Sequence, residues 1–209
     1  MATRGGRAVN NLVLGSARRS PETGKGAARR RSRSGTPGRV RTCDLRFRDS
    51  SFDSFKPRDP RQERALSQMR KDPGDSWHLS GAYGNGKTHL LYAQYRELVT
   101  AGQARCHVRT TRELVEELRR AEFDEDFVSP VIAAASRRAS YHLFWDDIDK
   151  LKLTDFKTEV LFDLVDSLYR QKHGLTVTGN YSMRDLVEHE RMHPAIVRRI
   201  DDMCRVVGT

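Results

Sequence analysis

Cysteine is scarce in this chain: Cys43, Cys106 and Cys204 are the only three among 209 residues, and no two of them form a C-x-x-C pair. That spacing excludes a zinc ribbon and a disulfide framework, and a reducing, cytoplasmic setting is expected. Long apolar runs are missing as well. No stretch approaches the ~20 residues that a membrane-spanning helix needs, and Leu12-Val13-Leu14 is too brief for the core of a signal peptide. Acidic residues are almost absent from residues 1–50, which hold 3 of the 28 Asp+Glu against 13 of the 38 Lys+Arg. The net charge of +10 therefore belongs to this stretch, and the remainder is neutral. Residues 1–44 have too little apolar content to order themselves, so a disordered basic tail is expected there, suited to nucleic acid or an acidic surface. An ordered domain is expected over residues 45–209. On net charge alone it need not bind nucleic acid.

What the rest of the chain does contain is alternation. Phe47, Phe52 and Phe55 are aromatic anchors in an otherwise polar lead-in. Arg61–Arg70 has a helical stripe, and Asp72-Pro73-Gly74-Asp75 is a turn. Short apolar runs at Trp77–Ser80, Arg105–Thr110, Tyr141–Trp145, Leu175–Thr178 and Met203–Val207 are expected strands. Helical periodicity separates them, at His89–Val99, after Thr110, after Ser129-Pro130, across Thr154–Lys172, after Ser182 and from Pro194. Thr110-x-x-Glu113 and Ser182-x-x-Asp185 are N-capping signals. Ala121–Asp126 is expected to be an acidic loop. Strands alternating with helices predict an α/β fold of three layers around a mainly parallel five-stranded sheet.

The most specific motif is Gly81-Ala82-Tyr83-Gly84-Asn85-Gly86-Lys87-Thr88, which reads G-x-x-x-x-G-K-T. Glycines let successive backbone N–H groups turn toward phosphate oxygens. The lysine reaches the β- and γ-phosphates, and the threonine hydroxyl ligates Mg²⁺. A strand before and a helix after this stretch give the context that the motif requires, and His89 extends it into the first helical turn. ATP and Mg²⁺ are the expected cofactors.

A second half of the site is expected where the run Tyr141–Trp145 ends in Asp146-Asp147. In a parallel sheet the loops beyond the strand C-termini share one edge. That places Asp146 near Thr88 as the second metal-side group and Asp147 where it can orient or deprotonate the attacking water. Asn180, beyond the next strand, can point at the γ-phosphate or at that water. Arg198 or Arg199 can reach the γ-phosphate of a neighbouring subunit as an arginine finger.

The stretches GAYGNGKTHLL, YHLFWDDID, LTVTGNYS and AIVRRIDDMCRVV occur in the order and at about the spacing of AAA+ ATPases. They resemble the DnaC/DnaI-type helicase loaders and the IstB-type transposition ATPases, as does the lead-in SFDSFKP. The resemblance covers about Phe52–Val207. It implies a P-loop NTPase fold, phosphate and Mg²⁺ binding at Lys87 and Thr88, Asp146 as the metal-side carboxylate, and Asp147 where most AAA+ proteins have Glu. It further implies Asn180 as the first sensor and Arg199 as the finger, with self-association to bring that finger into a neighbour's site. A replicative helicase with single-stranded DNA is the partner implied first, and a transposase the alternative. No helical lid is expected after Thr209.

His189-Glu190-Arg191-Met192-His193 matches H-E-x-x-H, the zinc-peptidase pattern. That chemistry needs one helix through both histidines, and Pro194 disfavours helical geometry at His193. No zinc site is expected.

Overall fold

The computed structural model describes residues 45–102, 105–150 and 155–209, with side chains from 157 in the last segment. The basic tail expected over residues 1–44 lies outside the described residues. Five strands form one sheet: β1 (Trp77–Ser80), β2 (Arg105–Thr110), β3 (Tyr141–Asp146), β4 (Gly174–Gly179) and β5 (Arg205–Gly208). Their order is β2-β3-β4-β1-β5, and every pairing is parallel. The chain leaves β1 for the far edge, returns strand by strand to its side, and then crosses to β5. The loop after β1 thus opens at the point where the strand order reverses, which is where ligands bind in such sheets.

Seven α-helices lie among the described residues: α1 (Pro60–Lys71), α2 (Lys87–Ala101), α3 (Thr111–Phe123), α4 (Pro130–Ala135), α5 (Asp155–Gln171), α6 (Met183–Glu188) and α7 (Pro194–Met203). Two apolar layers sandwich the sheet. On one face α1, α2 and the lead-in pack Met69, Leu90, Leu91, Phe52 and Phe55 against Trp77, Leu79, Phe144 and Val207. On the other, α3 to α7 pack Leu114, Leu161, Leu168 and Ile196 against Leu143, Trp145, Leu175 and Val177. The period-two alternation of each strand divides its residues between these layers. Burial of each large side chain stabilises the fold by about 1.5–3 kcal/mol.

Local signals set the helix ends. Asp59 caps α1, its carboxylate accepting from the N–H groups of Arg61 and Gln62. Capping boxes open α3 at Thr110 and Glu113 and α6 at Ser182 and Asp185. Gly102, in the left-handed region at φ 63°, closes α2. The acidic loop expected from Ala121 begins only at Asp124, because α3 continues to Phe123. Arg120 pairs with Asp124 at 3.2 Å, an (i, i+4) contact that carries the helix a turn further than the sequence pattern indicates.

Candidate functional site

The loop from Gly81 to Gly86 joins β1 to α2, and Gly84 and Gly86 both take left-handed backbone, at φ 78° and 79°. Lys87 is the first residue of α2 and is buried. Its ammonium donates to the carbonyls of Gly81 at 2.8 Å and Ala82 at 2.9 Å and to Asn180 Oδ1 at 3.2 Å. A buried cation must be surrounded by acceptors, and these three supply them. Burial lowers its pKa, against the opposing charges of Asp149, Asp147 and Asp146.

Thr88 Oγ1 donates to Asp146 Oδ1 at 3.1 Å, so the end of β3 and the start of α2 meet as the sequence predicts. The same Asp146 oxygen accepts from Thr178 Oγ1. Burial pushes the Asp146 carboxyl above the usual carboxylate range, while the hydroxyls of Thr178 and Thr88 act in the opposite direction. Thr88 and Asp146 together offer the hard oxygen donors that Mg²⁺ takes.

Asp147 stands at φ 58°, a left-handed conformation that Asp tolerates better than most residues. Three contacts hold it there. Its N–H donates to Thr178 Oγ1 at 3.0 Å, its carbonyl accepts from Thr111 Oγ1 at 2.6 Å, and the next N–H, of Ile148, donates to the Thr178 carbonyl at 2.9 Å. Thr178 on β4 therefore holds the Asp146-Asp147 corner through its hydroxyl and its carbonyl. Thr111 is fixed in turn by the indole N–H of Trp145, at 2.9 Å.

Asn180 follows β4 and lies beside Lys87. Asp149 places it, accepting from the Asn180 backbone N–H at 3.1 Å and the side-chain Nδ2 at 2.8 Å. Asp149 is buried, and its other oxygen, Oδ1, has no hydrogen-bond partner. Sequence reasoning did not single out Asp149, Thr178 or Thr111. The alternation Asp146-Asp147-Ile148-Asp149 was the available signal for the first. A threonine on a buried strand face carries no such signal.

The remaining predicted residues divide. Asn85 donates from Nδ2 to the Thr209 carbonyl at 2.9 Å, which ties the loop to the end of β5. Tyr83 is exposed, and the Lys150 ammonium lies 4.3 Å from its ring centre. His89 turns away from the loop. Its Nε2 contacts the Ser51 carbonyl at 3.1 Å and Ser54 Oγ at 3.2 Å, and its ring lies against Phe55. It fastens the lead-in to α2. Arg199, on α7, is bound within its own chain: Nε donates to Asp166 Oδ1 at 2.7 Å and the guanidinium covers the Phe162 ring at 4.3 Å. Its neighbour Arg198 is exposed.

The H-E-x-x-H stretch is not one helix. α6 ends at Glu188, Glu190 has φ 50°, and His193 caps α7 by accepting from the Ala195 N–H. Its two histidines lie on opposite sides of a break, and the zinc-peptidase geometry does not form.

The sequence model of the family described as AFG1-like ATPase matches residues 44–208. Several solved structures share the fold. The DnaC helicase loader aligns at a TM-score of 0.67 and 22% identity, covering 79% of this chain and 99% of that one. DnaI aligns at 0.65 and 17% identity, covering 78% and 92%. DnaA from Aquifex aeolicus, bound to AMPPCP, aligns at 0.63 and 16%, covering 76% of this chain and 49% of that one. No curated protein matches the sequence.

Proposed function

The chain belongs to the AFG1-like ATPase family, and on that premise we propose that it is an AAA+ module that binds ATP, hydrolyses it slowly and uses the nucleotide state to control a partner. The observation that carries this reading is the meeting of Lys87, Thr88, Asp146 and Asn180 at one edge of the sheet, with Lys87 bonded to Asn180 and Thr88 bonded to Asp146. Phosphate oxygens would replace the loop carbonyls and the Asn180 oxygen as acceptors for Lys87. Thr88 and Asp146 would hold Mg²⁺, whose charge offsets that of the phosphates.

Asp147 would take the proton of the attacking water, its backbone locked by Thr178 and Thr111 so that the carboxylate stays at the corner. Asn180 would report the γ-phosphate, and the bond to Lys87 that it would give up to the phosphate couples that report to the loop. Arg199 would act in trans, leaving Asp166 when a neighbouring subunit offers a phosphate.

The partner proposed is a replicative helicase, delivered onto single-stranded DNA. Its support is the likeness in fold to the DnaC helicase loader and DnaI over nearly the whole length of each. Lys87→Ala should abolish nucleotide turnover, and unchanged ATPase activity would overturn the scheme. Mixing Arg199→Ala with Asp147→Asn should restore activity above either variant alone, as a site shared between subunits requires. Co-elution with the helicase encoded by the same genome tests the partner.

A further inference from the structure

The opposite edge of the sheet, at the strand N-termini, carries a second charged feature. β2 begins at Arg105, whose N–H donates to the Ser140 carbonyl at 3.1 Å, just before β3. Ser136-Arg137-Arg138-Ala139-Ser140 leads into β3, and Tyr169-Arg170-Gln171-Lys172-His173 leads into β4. These two segments are pinned together at Ala135, whose carbonyl accepts from Ser167 Oγ at 3.4 Å and bonds His173 Nε2 at 3.1 Å. Arg105, Arg137, Arg138, Arg170 and Lys172 are all exposed, and neither segment contains an Asp or Glu. The nearest carboxylate on α5, Asp166, is largely buried and taken up by Arg170 and Arg199. Tyr169 stands among these cations with 45% of its surface exposed.

Lys172 adds a separate observation. It occupies φ 54°, where its N–H donates to the Tyr169 carbonyl while the His173 N–H donates to the Leu168 carbonyl. That is the helix-ending geometry for which glycine is the low-cost residue. A cation at this end gains from the helix dipole, but Arg170 already supplies one from ordinary helical backbone. Lysine stands where the backbone favours glycine, and it is exposed.

We propose that this edge, formed by Arg105, Arg137, Arg138, Tyr169, Arg170 and Lys172, is a binding surface for single-stranded nucleic acid. The cations meet the phosphates, and the exposed Tyr169 ring offers a face on which a base stacks. A duplex presents no free base face to that ring, which selects the single strand. Three adjacent strand ends span about 10 Å, room for two or three nucleotides. The surface lies at the other end of the sheet from Lys87 and does not depend on the reading of that site.

The test is photo-crosslinking of the full chain to oligo-dT carrying one 5-iodouracil, with the adduct mapped by mass spectrometry, beside anisotropy titrations at several salt concentrations. Adducts are expected on Tyr169 or within residues 136–140. Adducts confined to residues 1–44, or no adduct, would overturn the proposal; the latter is the result if the surface serves an acidic protein instead. Tyr169→Ala should weaken binding about tenfold. Lys172→Gly should unfold at an equal or higher urea concentration, yet bind more weakly, with the salt slope reduced by about 0.7 as one phosphate contact is lost. An unchanged slope, or equal affinity for a duplex of the same length, would count against it. Lys87→Ala should leave the adduct in place, so a failed nucleotide site and a failed nucleic-acid surface are told apart.

Discussion

One carboxylate oxygen of Asp149 accepts both nitrogens of Asn180, the backbone N–H at 3.1 Å and the side-chain Nδ2 at 2.8 Å. The amide is thereby turned so that its oxygen, and not its nitrogen, meets Lys87. Asp149→Ala frees the amide to rotate. The expected outcome is a kcat about tenfold lower, or about 1.4 kcal/mol in the barrier, with KM for ATP changed less than twofold. Thermal unfolding should come earlier, by the equivalent of about 1–3 kcal/mol, because the Asn180 backbone N–H and Nδ2 lose their acceptor. Steady-state kinetics well below the melting range, beside a melt, would check both, and an unchanged kcat with earlier unfolding would mark Asp149 as purely structural.

Arg199 and Asp166 separate a structural ion pair from a catalytic guanidinium. Either substitution to Ala breaks the 2.7 Å contact between α7 and α5 and should cost about 2 kcal/mol in a urea titration. Only Arg199→Ala removes the group proposed to act on a neighbour's phosphate, with an expected loss of about a thousandfold in turnover. Asp166→Ala should stay within about threefold of the parent. If the two variants lose activity equally, the finger is not Arg199, and Arg198→Ala becomes the decisive measurement.

The two left-handed glycines of the phosphate loop should respond unequally to the same change. A Cβ on Gly84 meets nothing within 4 Å, so Gly84→Ala carries the backbone cost alone, about 1–2 kcal/mol. A Cβ on Gly86 would lie 2.5 Å from the Phe55 ring, so Gly86→Ala should cost at least twice as much. Adding Phe55→Ala to Gly86→Ala should recover about 1 kcal/mol of coupling in a double-mutant cycle.

Two buried histidines make the fold sensitive to acid. Burial lowers His142 to about 3 and His78 to about 4, against about 6.5 in the unfolded chain. Below pH 6.5 the unfolded chain takes up protons that the folded chain refuses, so stability falls as pH drops toward those values. The slope is about 1.4 kcal/mol per pH unit for each histidine. Urea midpoints should be flat from pH 7 to 8 and fall steadily from 6.5 to 4.5. His142→Gln should lessen that fall by about half. His142 sits in a buried relay, its Nε2 on Thr176 at 2.9 Å and Thr176 donating to Gln94, so the replacement keeps a polar group there.

The strands and helices were legible because each has a local cause. Thr110-Glu113 and Ser182-Asp185 announce their helices by side-chain chemistry, and Tyr141–Trp145 announces a strand by its lack of charge. The G-x-x-x-x-G-K-T loop and Asp146 were legible for the same reason, since both stand at strand ends that share an edge. What stayed hidden depends on contacts between distant positions. Nothing near Thr178 in sequence indicates that its hydroxyl and carbonyl hold Asp146, Asp147 and Ile148. His89, next to the loop, was read by adjacency as part of the nucleotide site. The helical turn instead carries its ring to Ser51 and Ser54, more than 30 residues upstream. Arg199 was read by its neighbours in the chain, whereas its immediate environment is set by Asp166, which lies 33 residues away.

Thr209 bonds back to Ser80, N–H to carbonyl at 2.8 Å, and its own carbonyl receives Asn85 of the phosphate loop. Ser80 and Thr209 are separated by 129 positions. The nucleotide loop leaves a ribosome well before residue 209, and its contact with Thr209 is made only after that residue has been added. At about 5–20 residues per second, that is an interval of roughly 6–26 s during which α2 and β1 exist without their closing strand. A nascent chain in that interval has its phosphate-loop sequence but lacks the contact that Thr209 makes with Asn85.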